Sequence, residues 1–447
     1  MRVTSSNVVR IRTNTRVLED TIAIYREAVA YFLQVLVKEV DVVPSKHEGV
    51  RLLERLCHRT KKNPAPRYAF DAQFYKMPSY FRRAAISSAI GILQSHETRM
   101  AQWAEEKEDA RRLRMPFKKR PPRIGYTHAV MPVFYQSKNG IFRWVDETTV
   151  RLKVYKSGDW VWETVHMQPS DARHIQDAQN AGYTISSPTL RKCHRRYEMV
   201  FAITQNVDLR EKDPTQHTIV SVDLGYNSLA TCIGMRPDGT VDAPYFFKGA
   251  SEKDRLYHLL NKKKRFQKEG KGTGAIYREI RHLQDRMTLE TAKAIVAYAR
   301  YVQADCIVME HLSLHFTGAR KPYREKLHLW RKRGICTWVE HLAHKEGMRF
   351  STVNPRNTSR LAYDGSGEVL RDPTNYTQCT FSNGKQYNAD LNAAKNIGAR
   401  YYIRAYKTQL ETLGCAAEAN ALLPAQGTKS TLSDLIAFIA ARKTRAA

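Results

Sequence analysis

The chain has 447 residues, 42% hydrophobic and 10% aromatic, enough to bury a sizeable core in two or three domains. Its 73 Lys and Arg against 44 Asp and Glu give a formal charge of +29, spread along the chain rather than gathered in a tail, so a polyanion, nucleic acid above all, is the expected partner class. Seven cysteines with no CxxC pair argue against a disulfide framework and an intact zinc site, and the lack of any apolar run of about 20 residues or of a signal-peptide core argues for a soluble, intracellular protein.

Residues 8–11 alternate as a strand, and residues 18–40 carry Ile22, Val29, Phe32, Leu33, Leu36 and Val40 at helical spacing. A helical block continues to about residue 113. Pro78 suits a helix start there, and Phe81, Ala85, Ile86, Ala89 and Leu93 form one apolar face. Arg82 and Arg83 fall beside that face, as phosphate contacts or as a solvated pair. Residues 111–123 then concentrate seven Lys and Arg among three prolines, which reads as a boundary or a phosphate-contacting connector with Lys118, Lys119 and Arg120. Cys57-His58 and Cys193-His194 lack a matching second pair and read as structural.

From residue 124 to 165 the period switches to two, with turns at Asn139-Gly140 and Gly158-Asp159, and a last strand closes this part near Val207. The strand at 8–11 is expected to join the same sheet, making the helical block an insertion in one β-barrel. The second half alternates β and α, as in a mixed sheet covered by helices. Beyond Pro424 the pattern is that of a short amphipathic helix.

Three acids stand at ends of elements in this second half. The apolar run Ile219–Val222 ends in Asp223, followed by a Gly225 kink, a strand Leu229–Gly234 and a turn at Pro237-Asp238-Gly239. The short apolar run Cys306–Met309, preceded by a helix over 294–302, ends in Glu310. Ligand sites gather at that edge of α/β sheets, and a buried acid is costly unless a cation sits on it. Asp390 opens a helix whose Ala393, Ala394, Ile397 and Ala399 are small enough for close packing on a sheet. Alone it reads as an N-cap. With Asp223 and Glu310 it completes an oxygen-rich set suited to divalent cations and phosphodiester cleavage.

The segments VSVDLGYNSLAT, DCIVMEHL and YNADLNAAKNI resemble, in that order, the three motifs of a RuvC-like nuclease of the RNase H fold. More narrowly they resemble those of transposon-encoded TnpB proteins and of the compact type V CRISPR effectors, the miniature Cas12-like nucleases. The resemblance covers residues 216–402 well and residues 1–215 by weaker pattern. It implies a multidomain α+β protein: a wedge-like β-barrel (1–15 and 118–215), an inserted helical recognition domain (16–117), and a RuvC-like nuclease domain (216–354 and 388–447). A basic helical lid is expected at about 251–287 and a degenerate zinc-ribbon, target-loading hairpin at 355–387.

It further implies RNA-guided DNA endonuclease activity in a prokaryotic, nucleoid-associated cytosol. Asp223, Glu310 and Asp390 would be the catalytic acids holding two Mg²⁺, with Mn²⁺ able to replace them. A guide RNA would read the unwound double-stranded target while the protein reads a short flanking motif. Lys262, Lys263, Lys264 and Arg265 in the lid, and Arg360 near the ribbon, are further candidate nucleic-acid contacts, the lid run reading equally as a solvated helix face. The family's ribbon cysteines would fall near Ala362, Gly365, Cys379 and Ser382 or Asn383, and only Cys379 remains. No zinc is therefore expected, and the hairpin is expected to be held by Leu370, Tyr376 and Phe381. Two other readings stand beside the nuclease: a non-cleaving RNA-guided regulator, which should have lost an acid, and a guide-independent RNase H-fold transposase or resolvase, which needs no RNA platform.

Overall fold

The structure is a computed structural model and describes all residues except 41, 113–115, 126, 138, 194–195, 226–227, 312–331, 373–374, 376, 416–426 and 447. The chain divides into two compact units, Arg2–Asn206 and Val207–Ala447, the second including Met1.

The N-terminal unit starts with strand β1 (Arg2–Arg12) and helices α1 (Thr15–Glu39), α2 (Lys46–Cys57), α3 (Phe70–Gln73) and α4 (Ser79–Arg112). Local chemistry sets the helix starts: Asn14 Oδ1 accepts from Arg16 N at 3.1 Å, and Ser45 with Glu48 forms a capping box before α2. Strands β2 (Phe142–Trp144), β3 (Thr149–Lys156) and β4 (Asp159–Met167) follow, then α5 (Pro169–Asn180), β5 (Thr184–Ile185), β6 (Thr189–Cys193) and β7 (Arg196–Asn206). The β3–β4 turn places Ser157 and Gly158 at φ of 49° and 87°, the left-handed pair that a tight hairpin requires.

The sheet runs β2-β3-β4-β1-β7-β5, with β6 also on β7. β1 does join it, pairing with β7 along Arg2–Arg10 and with β4 at Ile11 and Arg12. The expected closed barrel is corrected to a half-barrel. No ladder joins its ends among the described residues; instead the segment 132–136 makes single bridges, Val133 to Thr189 on β6 and Gln136 to Phe142 on β2. Helices and sheet share one core. Phe81 of α4 packs its ring 6.1 Å from Tyr25, 5.4 Å from Phe134 and 4.9 Å from Trp160. The helical block and the strands around it are thus one packed body, which ends at Asn206.

The C-terminal unit contains β8 (Ile219–Asp223), β9 (Ala230–Met235), β10 (Tyr245–Phe247), α6 (Ala250–Lys268), α7 (Gly274–Tyr301), β11 (Cys306–Glu310), α8 (Lys332–Lys345) and β12 (Arg349–Val353). A small three-stranded sheet follows, β13 (Leu370–Arg371), β14 (Gln378–Thr380) and β15 (Gln386–Asn388), and then α9 (Ala389–Thr412) and α10 (Leu432–Ala446). The main sheet has the order β10-β9-β8-β11-β12, antiparallel through β8 and parallel from β8 to β12. Both faces are covered, by α9 and α10 on one side and by α7 and α8 on the other, so β8 and β11 read as continuous apolar runs. The later part of the lid expected at about 251–287 and the helix expected over 294–302 are one helix, α7 (Gly274–Tyr301).

α9 lies unusually close to this sheet. A Cβ on Gly398 would come within 2.9 Å of the Met235 thioether, and Ser221 Oγ donates to the Ala394 carbonyl at 2.8 Å. Small residues at 393, 394, 398 and 399 are what permit that approach.

Candidate active site

β8 and β11 run parallel and in register, Val222 beside Met309, so Asp223 and Glu310 emerge together from the carboxyl-terminal edge of the sheet. α9 brings Asp390 to the same edge: a Cβ on Gly225, just beyond β8, would lie 3.1 Å from Asp390 Oδ2. The glycine leaves room for the third acid. The capping role considered for Asp390 belongs to Asn388, whose Oδ1 accepts from Leu391 N at 2.9 Å. Asp390 is therefore left to face β8.

Asp223 is 7% exposed. Burial first, and then the charges of Glu310 and Asp390, push its carboxyl far above the ordinary carboxylate range. Burial likewise raises Asp390. Lys332, at the start of α8, and Arg371 in β13 oppose both shifts. Among the described residues no group of three or more His, Cys, Asp or Glu stands in position to hold a metal ion. The acids are neighbours within each other's field, an all-oxygen set whose buried member, Asp223, is pushed up by the other two. That donor chemistry fits a hard divalent cation.

Arg371 and Lys332 were not found from the sequence. Arg371 sits in a two-residue strand and Lys332 borders a segment without a motif, so neither carried a pattern to read. Arg371 Nη2 also reaches the Ser359 carbonyl at 3.4 Å.

The ribbon-like segment is organised around aromatic rings. Ala362 and Cys379 are buried with Phe381 and Ala389. Cys379 Sγ lies 3.5 Å from the Tyr387 carbonyl, and burial pushes its thiol up. The two turns are tied by hydrogen bonds, Asn383 Nδ2 to Asp364 Oδ2 at 3.2 Å and Ser382 Oγ to the Ser366 carbonyl. Lys395 Nζ stands 3.7 Å from the Tyr363 ring centre and Lys385 Nζ donates to Tyr363 Oη at 2.8 Å. Of the three residues expected to hold the hairpin, Phe381 is buried, Leu370 is 72% exposed and holds nothing, and Tyr376 lies outside the described residues. Leu370 fails because the strand it begins is two residues long and packs on neither face.

The candidate phosphate contacts divide. Arg82 is a correction: it is 6% exposed, turned into the helical block and paired with Glu54 at 3.4 Å. Arg83 shares Glu54 at 3.0 Å but remains exposed. Lys118, Lys119 and Arg120 are exposed on an irregular segment, with Lys119 against Glu106 at 2.6 Å. On α6, Lys262 and Arg265 lie near the Phe266 ring, Lys263 is half-buried over Tyr277 and Lys264 is exposed. Arg360 pairs with Glu368 at 2.9 Å on the surface. A cationic cluster not anticipated lies on β2–β4, where Arg143, Arg151 and Lys153 surround the Trp162 ring at 4.5, 5.9 and 5.6 Å. Its signal was the alternation of RLK with WVW in adjacent strands.

Residues 333–397 match the family model of the Cas12f1-like TNB domain, and residues 5–156 match that of the Aq_aa04 family. No curated protein matches the sequence. Among solved structures, a Cas12f1–sgRNA–target DNA complex aligns with TM-score 0.51 and 12% identity, covering 89% of this chain and 98% of that one. The mini-RNA-guided endonuclease CRISPR-Cas_phi3 aligns at 0.48 and 11% over 89% and 92% of the two chains. Alicyclobacillus acidoterrestris C2c1 bound to single-guide RNA aligns at 0.44 and 12% over 87% and 70%. At 12% identity the likeness to Cas12f1 is one of fold, and the matched TNB-domain segment is Cas12f1-like as well. The chain has the fold of Cas12f1.

Proposed function

We propose that this chain is an RNA-guided DNA endonuclease that hydrolyses DNA phosphodiester bonds at a RuvC-like site formed by Asp223, Glu310 and Asp390. The observation that carries the reading is the convergence of these acids on one sheet edge, with Asp223 buried and pushed up by its two neighbours. The strand order β10-β9-β8-β11-β12 sets β8 and β11 side by side, so that Asp223 and Glu310 leave the sheet at adjacent strand ends. The Cas12f1 neighbour is a complex with guide RNA and target DNA. The net charge of +29 suits the same polyanions.

The three carboxylates would hold Mg²⁺, with Mn²⁺ as a substitute. When bound, such ions would lower the pKa of an attacking water and neutralise charge building on the phosphate. The chain's own residues do the rest. Asp223 and Glu310 are fixed by strand ends, Asp390 is presented by the first turn of α9, and Gly225 keeps the space between them open. Arg371 and Lys332 bring positive charge to the same edge, where a phosphodiester would enter. α6 and α7, basic and joined by a short turn, are the proposed lid, and the Trp162 cluster with Lys118, Lys119 and Arg120 offers surface to the guide.

The deciding experiment is to sequence the RNA that co-purifies with the protein, then supply a matching DNA target with Mg²⁺. Cleavage by the wild type and none by Asp223→Ala is the expected result. Absence of a discrete RNA, or cutting by the Asp223→Ala protein, would sink the reading.

A further inference from the structure

Glu310 has a second neighbour that carries no charge. The loop after β12 brings Thr358, 1% exposed, against the acid. Thr358 Oγ1 lies 2.5 Å from Glu310 Oε1 and 2.9 Å from the Pro355 carbonyl. A hydroxyl has one proton to donate. The carboxylate oxygen is both the nearer and the stronger acceptor, so the bond to Glu310 takes that proton and fixes one of the two carboxylate oxygens.

The loop is itself held by α9. Asn392, Asn396 and Arg400 recur every fourth residue and so share one face of the helix. Asn392 Oδ1 accepts from Tyr363 N at 2.8 Å, and its Nδ2 donates to the Leu361 carbonyl at 2.8 Å. Asn396 Nδ2 donates to the Leu361 carbonyl at 2.8 Å and to that of Thr358 itself at 3.0 Å. Arg400, 5% exposed, has no carboxylate bonded to it among the described residues. Its Nη1 donates to the Asn354 and Arg356 carbonyls at 2.9 and 2.7 Å, and its Nε and Nη2 to those of Ser430 and Thr428 at 3.1 and 2.8 Å. Burial brings the guanidinium down to about 10, and the charge of Glu310 opposes that shift. One helix face thus ties the carbonyls of Asn354, Arg356, Thr358 and Leu361 and the Tyr363 amide, which leaves little freedom to move Thr358.

We propose that Thr358 is a positioning residue for Glu310, aimed by the Asn392, Asn396 and Arg400 face of the helix that presents Asp390. One helix then sets two acids, the first directly and the second through a loop. The inference rests on the nuclease reading above and adds a residue that touches neither substrate nor the reacting atoms.

The test uses the full-length protein and two substitutions, Thr358→Val, which keeps the shape and removes the hydroxyl, and Thr358→Ser, which keeps the hydroxyl. Mn²⁺ binding is followed by titration calorimetry, and single-turnover cleavage and melting temperature are read on the same samples. Thr358→Val is expected to weaken Mn²⁺ binding about tenfold, as loss of a hydrogen bond to a ligating group does, and to slow cleavage while leaving the melting temperature and half-saturating target concentration unchanged. Thr358→Ser is expected to restore both losses.

Wild-type Mn²⁺ affinity in Thr358→Val, or failure of Thr358→Ser to rescue, overturns the proposal. Asp223→Ala, titrated alongside, separates the two levels. If Asp223→Ala loses Mn²⁺ binding and Thr358→Val does not, only the positioning role falls. If Asp223→Ala binds Mn²⁺ like the wild type, the nuclease reading falls and takes the positioning role with it.

Discussion

In the N-terminal unit charge faces solvent: Arg143, Arg151 and Lys153 gather around Trp162 on strands whose alternate residues Val150, Leu152 and Val154 form the core. In the C-terminal unit acids are carried to the end of strands buried on both faces, and Asp223 is 7% exposed. Solvated cations cost little to place, so a chain can accumulate many of them and show it in composition. A buried acid beside two others costs several kcal/mol unless something offsets it. Abundant surface charge therefore points to a binding surface, whereas one badly placed charge points to chemistry.

The sharpest way to break this contrast is Asp223→Asn. It should lower the cleavage rate by about a thousandfold or more, the scale of removing a group central to transition-state charge, and should raise the melting temperature because a buried repulsion is gone. A lower melting temperature would mean that Asp223 is a structural acid. Arg371→Ala comes next: without the positive charge opposing Asp223 and Asp390, cleavage should slow about ten- to a hundredfold with target binding measured by filter retention little changed. Third, replacing Arg143, Arg151 and Lys153 together with Ala should weaken RNA binding and reduce the slope of log affinity against log salt by about one for each cation. An unchanged slope would show that this surface does not meet phosphate.

The smallest expected effect concerns a buried base. His217 Nε2 donates to the Lys212 carbonyl at 3.0 Å, so its Nδ1 accepts from Tyr401 Oη at 2.6 Å and the ring is neutral. Burial lowers its pKa in the fold. Its contribution to stability is therefore complete above the unfolded value of about 6.5 and is lost as pH falls from there toward the folded value. Melting temperature measured from pH 7.5 to 5 should drop less steeply in His217→Gln than in the wild type.

The elements that carry the acids were legible because apolar runs ending in Asp223 and Glu310, and a small-residue helix behind Asp390, are local patterns. The strand at the chain start and its place in the first sheet were legible for the same reason. What alternation could not reveal was whether that sheet closes, which depends on edges β2 and β6 bridged, among the described residues, through 132–136. Arg82 was misplaced because its partner Glu54 is 28 residues away on another helix. Asn388 and Asp390 are both good caps, and only the backbone decides between them. The contacts of Thr358 with Glu310 and of Arg400 with Asn354 were not legible, because each joins segments more than 40 residues apart.

The hairpin of β13–β15 bears on how the protein can be handled. A metal knuckle and a metal-dependent acid site are stripped by the same chelator, so loss of activity in EDTA normally confounds collapse with inhibition. Here the two turns are bridged by Asn383 with Asp364 and by Ser382 with Ser366, and Lys385 and Lys395 rest on Tyr363. Chelation should then act as a reversible off-switch: protein dialysed against EDTA keeps its melting profile and regains cleavage on addition of Mg²⁺ alone.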